Sequence, residues 1–187
     1  MALKHQENSM TAIQRLKNIL EEDGILSKTI MIERDQFLKK ENTINTNLYF
    51  VLQGSLRVFF MNEYEEHILY FGYKKSLITA LDSFFSAKSS ILQIQAIKKT
   101  RVIYISKIDF MTYMSKNPEN LQLWHEILEE LIQLQIEREI DLHIKSPLER
   151  YQRILDRRPE LFQEIPHKYI ASYLRMAPET LSRIKKS

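Results

Sequence analysis

Ile165-Pro-His-Lys-Tyr-Ile-Ala-Ser-Tyr-Leu-Arg-Met-Ala-Pro-Glu-Thr-Leu-Ser-Arg-Ile-Lys-Lys186 is the stretch that decides how the chain is read. Ile170, Ala171 and Leu174 share one face of a short helix, and Leu181 with Ile184 share a face of a second. Arg175-Met176-Ala177 breaks the two apart. Pro178 suits a first helical turn, where its missing N–H has no partner to lose. Small Ala171 lets the second helix cross close to the first. The polar side of that second helix carries Glu179, Thr180, Ser182, Arg183, Lys185 and Lys186, groups that bond base edges and phosphates. The pattern is that of a helix-turn-helix whose second helix reads DNA. An ordinary helical hairpin with a solvated polar face has the same periodicity.

Charge distribution favours the first alternative. The chain holds 27 Lys and Arg against 24 Asp and Glu, a net of +3 that decides little by itself. Residues 145–187, however, hold ten basic residues against five acidic ones, and the preceding 144 hold 17 against 19. A basic end on a slightly acidic body suits a polyanion, because neutralising phosphates releases counterions. Lys168 and Arg175 extend the basic surface beyond the second helix.

At 187 residues the chain can hold one substantial core and a small second unit. Its hydrophobic share of 44% is that of a globular protein. No run reaches the roughly 20 apolar residues of a membrane span, and Met1–Met10 lacks the apolar centre of a signal peptide. The absence of cysteine removes disulfides, iron–sulfur clusters, thiol catalysis and cysteine zinc sites together. A cytoplasmic protein is expected.

Residues 9–22 read as a surface helix with Ile13, Leu16, Ile19 and Leu20 on one face, ended by Gly24. Between Lys28 and Ser106 the signal changes to short strands: Ile30–Ile32, Leu48–Leu52, Ser55–Phe59, His67–Tyr73, Ile91–Ala96 and Arg101–Ile105. In the third, Leu56 and Val58 point inward. Gln53-Gly54 and Asn62-Glu63 supply turns. With only three glycines, Asn, Asp and Lys must occupy other turns. Short strands at this spacing predict an antiparallel sandwich or barrel, and the whole an α+β chain.

Lys107–Lys116 reads as a helix capped by Ser106. Pro118 opens a long one of about 26 residues, roughly 39 Å at 1.5 Å per residue. Leu121, Trp124, Leu128 and Leu131 keep a three-four spacing that Gln135, Arg138 and Leu142 continue. Ile127, Ile132, Leu134, Ile136 and Ile140 widen the apolar surface beyond that seam. One reading lays the helix wholly over the sheet; the preferred one pairs the Leu121–Arg138 seam with a twin helix in a two-fold homodimer. Ser146 then caps a further helix with Pro147 in its first turn, and Arg158-Pro159 ends it.

This order of parts resembles the Crp/Fnr family of bacterial transcription regulators, over residues 28–186. Leu48-Tyr-Phe-Val-Leu-Gln-Gly-Ser-Leu-Arg-Val58 is similar to the family's strand-turn-strand, and Ile170-Ala-Ser-Tyr-Leu174 with Pro178-Glu-Thr-Leu-Ser-Arg-Ile184 to its DNA-reading pair. Ser146-Pro-Leu-Glu-Arg-Tyr151 resembles the hinge and first helix of Bacteroidetes members. The resemblance implies a jelly-roll, cyclic-nucleotide-binding-like sandwich over residues 1–116, a dimerisation helix over 117–145, and a helix-turn-helix DNA-binding unit over 146–187. It also implies that Glu179 and Arg183 both face base edges, with Thr180 and Ser182 on backbone. Physically, Arg bonds guanine O6 and N7, and Glu accepts from cytosine N4. A surface ion pair between Glu179 and Arg183 is the alternative use of that spacing.

The chain departs from the family in two places. Where cyclic-nucleotide members carry Gly-Glu and then Arg-Ser, this sequence has Thr79-Ala80 and Ser90-Ile91. Thr79, Ala80, Ser89 and Ser90 are thus the candidate ligand-pocket residues, but no arginine lies between Arg57 and Arg101. Lys88 offers a point charge rather than a planar fork, so cyclic AMP is not the expected effector. No cofactor and no metal site is expected, since His5, His67, His125, His143 and His167 share no spacing. Second, the sequence ends at Ser187 without a β-hairpin wing, and Arg175 stands where the turn usually has glycine, a strained choice if φ is positive there.

The expected function is therefore a dimeric regulator of double-stranded DNA with a small-molecule effector of unknown identity or none, and no catalytic residues. A metal-dependent cupin-type enzyme would need clustered His and carboxylate ligands, and only His67 lies among the strands. A sandwich dimer that has lost DNA binding and acts through a protein partner is the remaining alternative.

Overall fold

A computed structural model describes residues 10–63 and 65–186. Met1–Ser9, including His5 and most of the leader reading, lie outside the described residues, as do Tyr64 and Ser187. Helix α1 (Ala12–Glu22) starts with a capping box in which Thr11 and Gln14 bond each other's backbone N–H. It buries Ala12, Leu16 and Leu20, and the chain reverses at Gly24 with φ of 69°.

Eight strands follow: β1 (Lys28–Ile32), β2 (Phe37–Lys39), β3 (Leu48–Gln53), β4 (Ser55–Asn62), β5 (Glu65–Tyr73), β6 (Leu77–Ile78), β7 (Gln93–Ala96) and β8 (Thr100–Ile105). They form two four-stranded antiparallel sheets, ordered β1-β8-β3-β6 and β2-β7-β4-β5. Leu56 and Val58 face inward with no exposure, as their alternation predicts. Ile91 does not join the seventh strand; it is 59% exposed, and β7 begins at Gln93. The β3–β4 turn needs Gly54: φ is 85°, and a Cβ there would lie 2.4 Å from the Lys99 carbonyl oxygen. Asp35, Asn42, Glu63 and Lys75 take positive φ at other turns, as the shortage of glycine requires.

The space between the sheets is full. Ile32, Tyr49, Val58, Ile78, Ile94 and Val102 occupy it, each at most 3% exposed. A second cluster lies over the other face of the β1-β8-β3-β6 sheet. There α1, the short α2 (Leu81–Ser86), α3 (Lys107–Met114) and the start of α4 (Pro118–His143) bury Leu16, Leu20, Phe84, Phe110, Trp124 and Ile127 together. Asn117 caps α4, with Pro118 in its first turn. The helix runs 26 residues, well past the sandwich core that it helps to build.

Four shorter helices complete the described chain: α5 (Pro147–Arg157), capped by Ser146, α6 (Pro159–Glu164), α7 (His167–Tyr173) and α8 (Pro178–Ile184). Ile154, Leu161, Ile165, Ile170, Leu174 and Leu181 make their core. That core is continuous with Phe59, Ile68, Phe71 and Ile97 of the sandwich. The C-terminal helices therefore rest on the β2-β7-β4-β5 sheet.

Candidate nucleic-acid interface and neighbouring cavity

Helices α7 and α8 bury Ala171 and Leu181 in one cluster. With Leu181 inward, Glu179, Ser182, Arg183, Lys185 and Lys186 are left exposed and Thr180 half-buried. No ion pair joins Glu179 to Arg183 among the described residues, so both side chains remain available. Lys168 and Arg175 are also exposed, Lys168 against the Tyr169 ring. Lys185 Nζ meets His167 Nε2 at 2.5 Å, which ties the end of α8 to the start of α7. Arg175 has φ of 50°, a left-handed conformation that costs a non-glycine residue about 1 kcal/mol. Arg150 supports this turn by donating from Nη2 to the Arg175 carbonyl at 3.3 Å, and from Nη1 to that of Ile144 at 2.6 Å.

Two of the ten basic residues in this segment serve a different purpose. Asp141 of α4 is buried, and Arg153 Nε donates to its Oδ1 at 2.8 Å. Arg157 bonds the other carboxylate oxygen. Both arginines also reach Glu137, at 3.2 and 2.6 Å. This clamp fixes the angle between α4 and α5 and removes Arg153 and Arg157 from the surface charge that the sequence count assigns to DNA.

The residues of the expected dimer seam differ in exposure. Trp124 is 5% exposed and packs edge-on against Phe110, with ring centres 5.0 Å apart. Leu121, Leu128 and Leu131 are partly covered by the same cluster. Arg138 turns inward, donating to the Ile68 carbonyl at 2.8 Å and lying over the Tyr173 ring. Gln135 is exposed at the edge of a cavity. The apolar residues that α4 leaves uncovered are instead Ile132, Ile136 and Ile140, at 59%, 56% and 46% exposure, with Leu128 half-buried beside them.

The four candidate pocket residues have different surroundings. Ala80 belongs to the packed interior, Ser89 is exposed, and the Ser90 hydroxyl accepts from the Leu92 N–H. Lys88 is exposed; the buried cation of this region is Lys39, whose ammonium donates to the carbonyls of Lys40, Ser90 and Leu92. All three of its donors are thereby used, so it has none left for a phosphate. Thr79 alone opens onto a cavity, of about 450 Å³, and that cavity lies elsewhere. It is bounded by β5, the middle of α4, the Lys74–Leu77 turn, the start of α1, and Arg158, Glu160 and Tyr173 from the C-terminal helices. Nothing in the sequence pattern marks it, because its walls are far apart in the chain. No group of three or more His, Asp or Glu side chains suited to a metal occurs among the described residues. No helix among them is long and apolar enough to cross a membrane.

No family model matches the sequence, and no curated protein matches it. Solved structures do match in shape. The chain is similar to FixK2 from Bradyrhizobium japonicum, at 18% identity over 85% of this chain and 82% of that one, with a TM-score of 0.70. A CooA mutant from Carboxydothermus hydrogenoformans gives 0.70 at 16% identity, over 97% and 85% of the two chains. The c-di-GMP responsive global regulator CLP from Xanthomonas campestris gives 0.68 at 15%, over 91% and 90%. These neighbours are transcription regulators of the Crp/Fnr type, not enzymes. At such identities the likeness is one of architecture: the chain has the α+β sandwich fold of those regulators.

Proposed function

We propose that this chain is a dimeric, sequence-specific DNA-binding transcription regulator, with α7 and α8 as its helix-turn-helix and α8 as the reading helix. The observation that carries this reading is the single-sided burial of α8: Leu181 is anchored while Glu179, Ser182, Arg183, Lys185 and Lys186 are exposed on its open side. Residues 1–116 act as a sensor-like jelly roll, 117–145 as the connecting and pairing helix, and 146–187 as the DNA-binding unit, in the cytoplasm. Pairing uses Leu128, Ile132, Ile136 and Ile140, and sets the two reading helices about one helical turn of DNA apart, roughly 34 Å. Cyclic AMP is not its effector. The interior is filled, the phosphate-gripping arginine is missing, and Lys39 is saturated by carbonyls.

Selection of bound sites from random duplexes, followed by titration of variants, tests the reading. Arg183→Ala loses about 1–3 kcal/mol on the selected site and its preference over other sequences. Lys185→Ala weakens binding to every duplex alike and lowers the salt slope by about one. If both variants lose affinity equally on all sequences, base reading by Arg183 is wrong. If wild type fails to retard any duplex at low salt, the alternative of a sandwich dimer acting through a protein partner takes its place.

A further inference from the structure

The uncovered face of α4 carries more than isoleucine. Successive residues turn about 100° around a helix, so the face opposite Ile127 and Arg138 is centred on Ile136. Ile132 and Ile140 lie about 40° to either side of that line, and His143 about 20° from it. Glu139 stands about 60° round, on the same side as His143. The five histidines share no spacing with one another, but His143 follows Glu139 by four residues, one helical turn on. The two side chains converge: His143 Nε2 lies 3.1 Å from Glu139 Oε1, and they are 78% and 68% exposed. Bonds of about 2.0–2.2 Å to a tetrahedral zinc ion set two donor atoms about 3.4 Å apart, close to the separation this pair already has.

We propose that Glu139 and His143 of two paired copies together hold one zinc ion on the two-fold axis, with two nitrogen and two oxygen ligands. The site rests on the pairing of α4 proposed for this chain, since each copy supplies only two of the four ligands. Packed helices lie about 8–10 Å apart, so long side chains near the facing line reach the axis midway between them. Charge points to a divalent cation. Without one, pairing sets two Glu139 carboxylates near each other at the end of an apolar seam, where like charges repel. Two carboxylates, two neutral imidazoles and Zn²⁺ sum to zero. His143 is the last residue of α4, and the negative end of the helix dipole there favours a cation as well. Ligand type narrows the ion: imidazole with carboxylate suits zinc, whereas magnesium and calcium take oxygen sets. Ile144 caps α4 directly after His143, and its carbonyl accepts from Arg150 of α5. The metal therefore pins the twin helices at the joint from which the two C-terminal units diverge.

The test uses the whole chain without an affinity tag, stripped with EDTA and then titrated with zinc chloride. Equilibrium dialysis is expected to count one zinc per two chains. Sedimentation is expected to show pairing at a protein concentration at least about tenfold lower with zinc than with EDTA. His143→Ala and Glu139→Gln, both at exposed positions that leave the core untouched, lose the zinc and its effect on pairing. They still pair as the wild type does in EDTA. His125→Ala, exposed on the same face of α4, keeps the zinc and the tighter pairing. Ile132→Glu with Ile136→Glu loses the zinc together with the dimer. Zinc held by that monomeric variant, zinc retained by His143→Ala, or zinc lost from His125→Ala alone overturns the site. A wild type that pairs but takes up no zinc also overturns it and leaves the pairing of α4 standing. A wild type that stays monomeric with zinc and without it sinks the pairing and the site together.

Discussion

The two halves of α4 carry similar apolar residues and put them to opposite uses. In the first half Leu123, Trp124 and Ile127 are at most 8% exposed, inside a cluster that α1, α2 and α3 complete. In the second half Ile132, Ile136 and Ile140 stand about half exposed, and the buried residue is Asp141, held by two arginines. The difference comes from what lies opposite. The first half faces a sheet and three helices with apolar surface to bury, while the second extends past them toward α5. Leucine and isoleucine at helical spacing announce a face; only the rest of the chain decides what covers it.

The sharpest way to break this comparison is Trp124→Ala. If the first half is core, the variant loses about 3–5 kcal/mol of unfolding free energy, because removal of a large buried aromatic leaves a cavity that Phe84 and Phe110 cannot fill. Denaturant titration at two protein concentrations gives the same loss at both. A variant that keeps its stability and changes only its self-association would return Trp124 to the seam.

Asp141→Ala examines the polar end, and its effect is smaller. Removing a buried carboxylate strands two guanidinium groups, but those groups are 36% and 31% exposed, so water recovers part of the loss. A fall in stability of about half that for Trp124→Ala is expected. Its particular signature is faster amide exchange at the α4–α5 junction, with the sandwich strands protected as before. Uniformly faster exchange would mean that the clamp stabilises the whole chain and does not act as a joint.

Much of this was legible beforehand, and the misses have physical causes. Alternation at Leu56 and Val58 placed β4 correctly because each inward side chain meets the opposite sheet, whatever else the chain does. The caps at Ser106, Asn117 and Ser146 are local chemistry and can be read locally. Strands β2 and β6, of three and two residues, are too short for any period to show. The candidate surface divides in the same way. Glu179 and Arg183 follow from spacing within one helix, but the loss of Arg153 and Arg157 to a clamp depends on carboxylates outside the segment. The heptad position of Arg138 predicts a place in a seam. Its actual partners, the Ile68 carbonyl and the Tyr173 ring, lie 70 residues before it and 35 after. The resting of α7 on β5 is equally long-range. Tyr173 on Phe71, at 5.4 Å between rings, and Arg57 set over both Phe59 and Tyr169 leave no periodic trace.

The last way to sharpen the comparison carries almost no folding cost. Ile132→Glu together with Ile136→Glu places two carboxylates on the uncovered face, where surface substitutions typically change stability by within about 0.5 kcal/mol each. Their effect belongs to association: a two-fold seam brings each glutamate near its own copy, so like charges meet in a place that must be dry. Sedimentation at micromolar concentration then shows the wild type at twice the mass of the variant, while both melt alike when dilute. A variant that stays paired would mean that copies meet elsewhere, and the 34 Å spacing of the reading helices would need another support. Ile140, nearer the Asp141 clamp, is left untouched so that the α4–α5 joint stays as it is, and any change in DNA retention reports pairing alone.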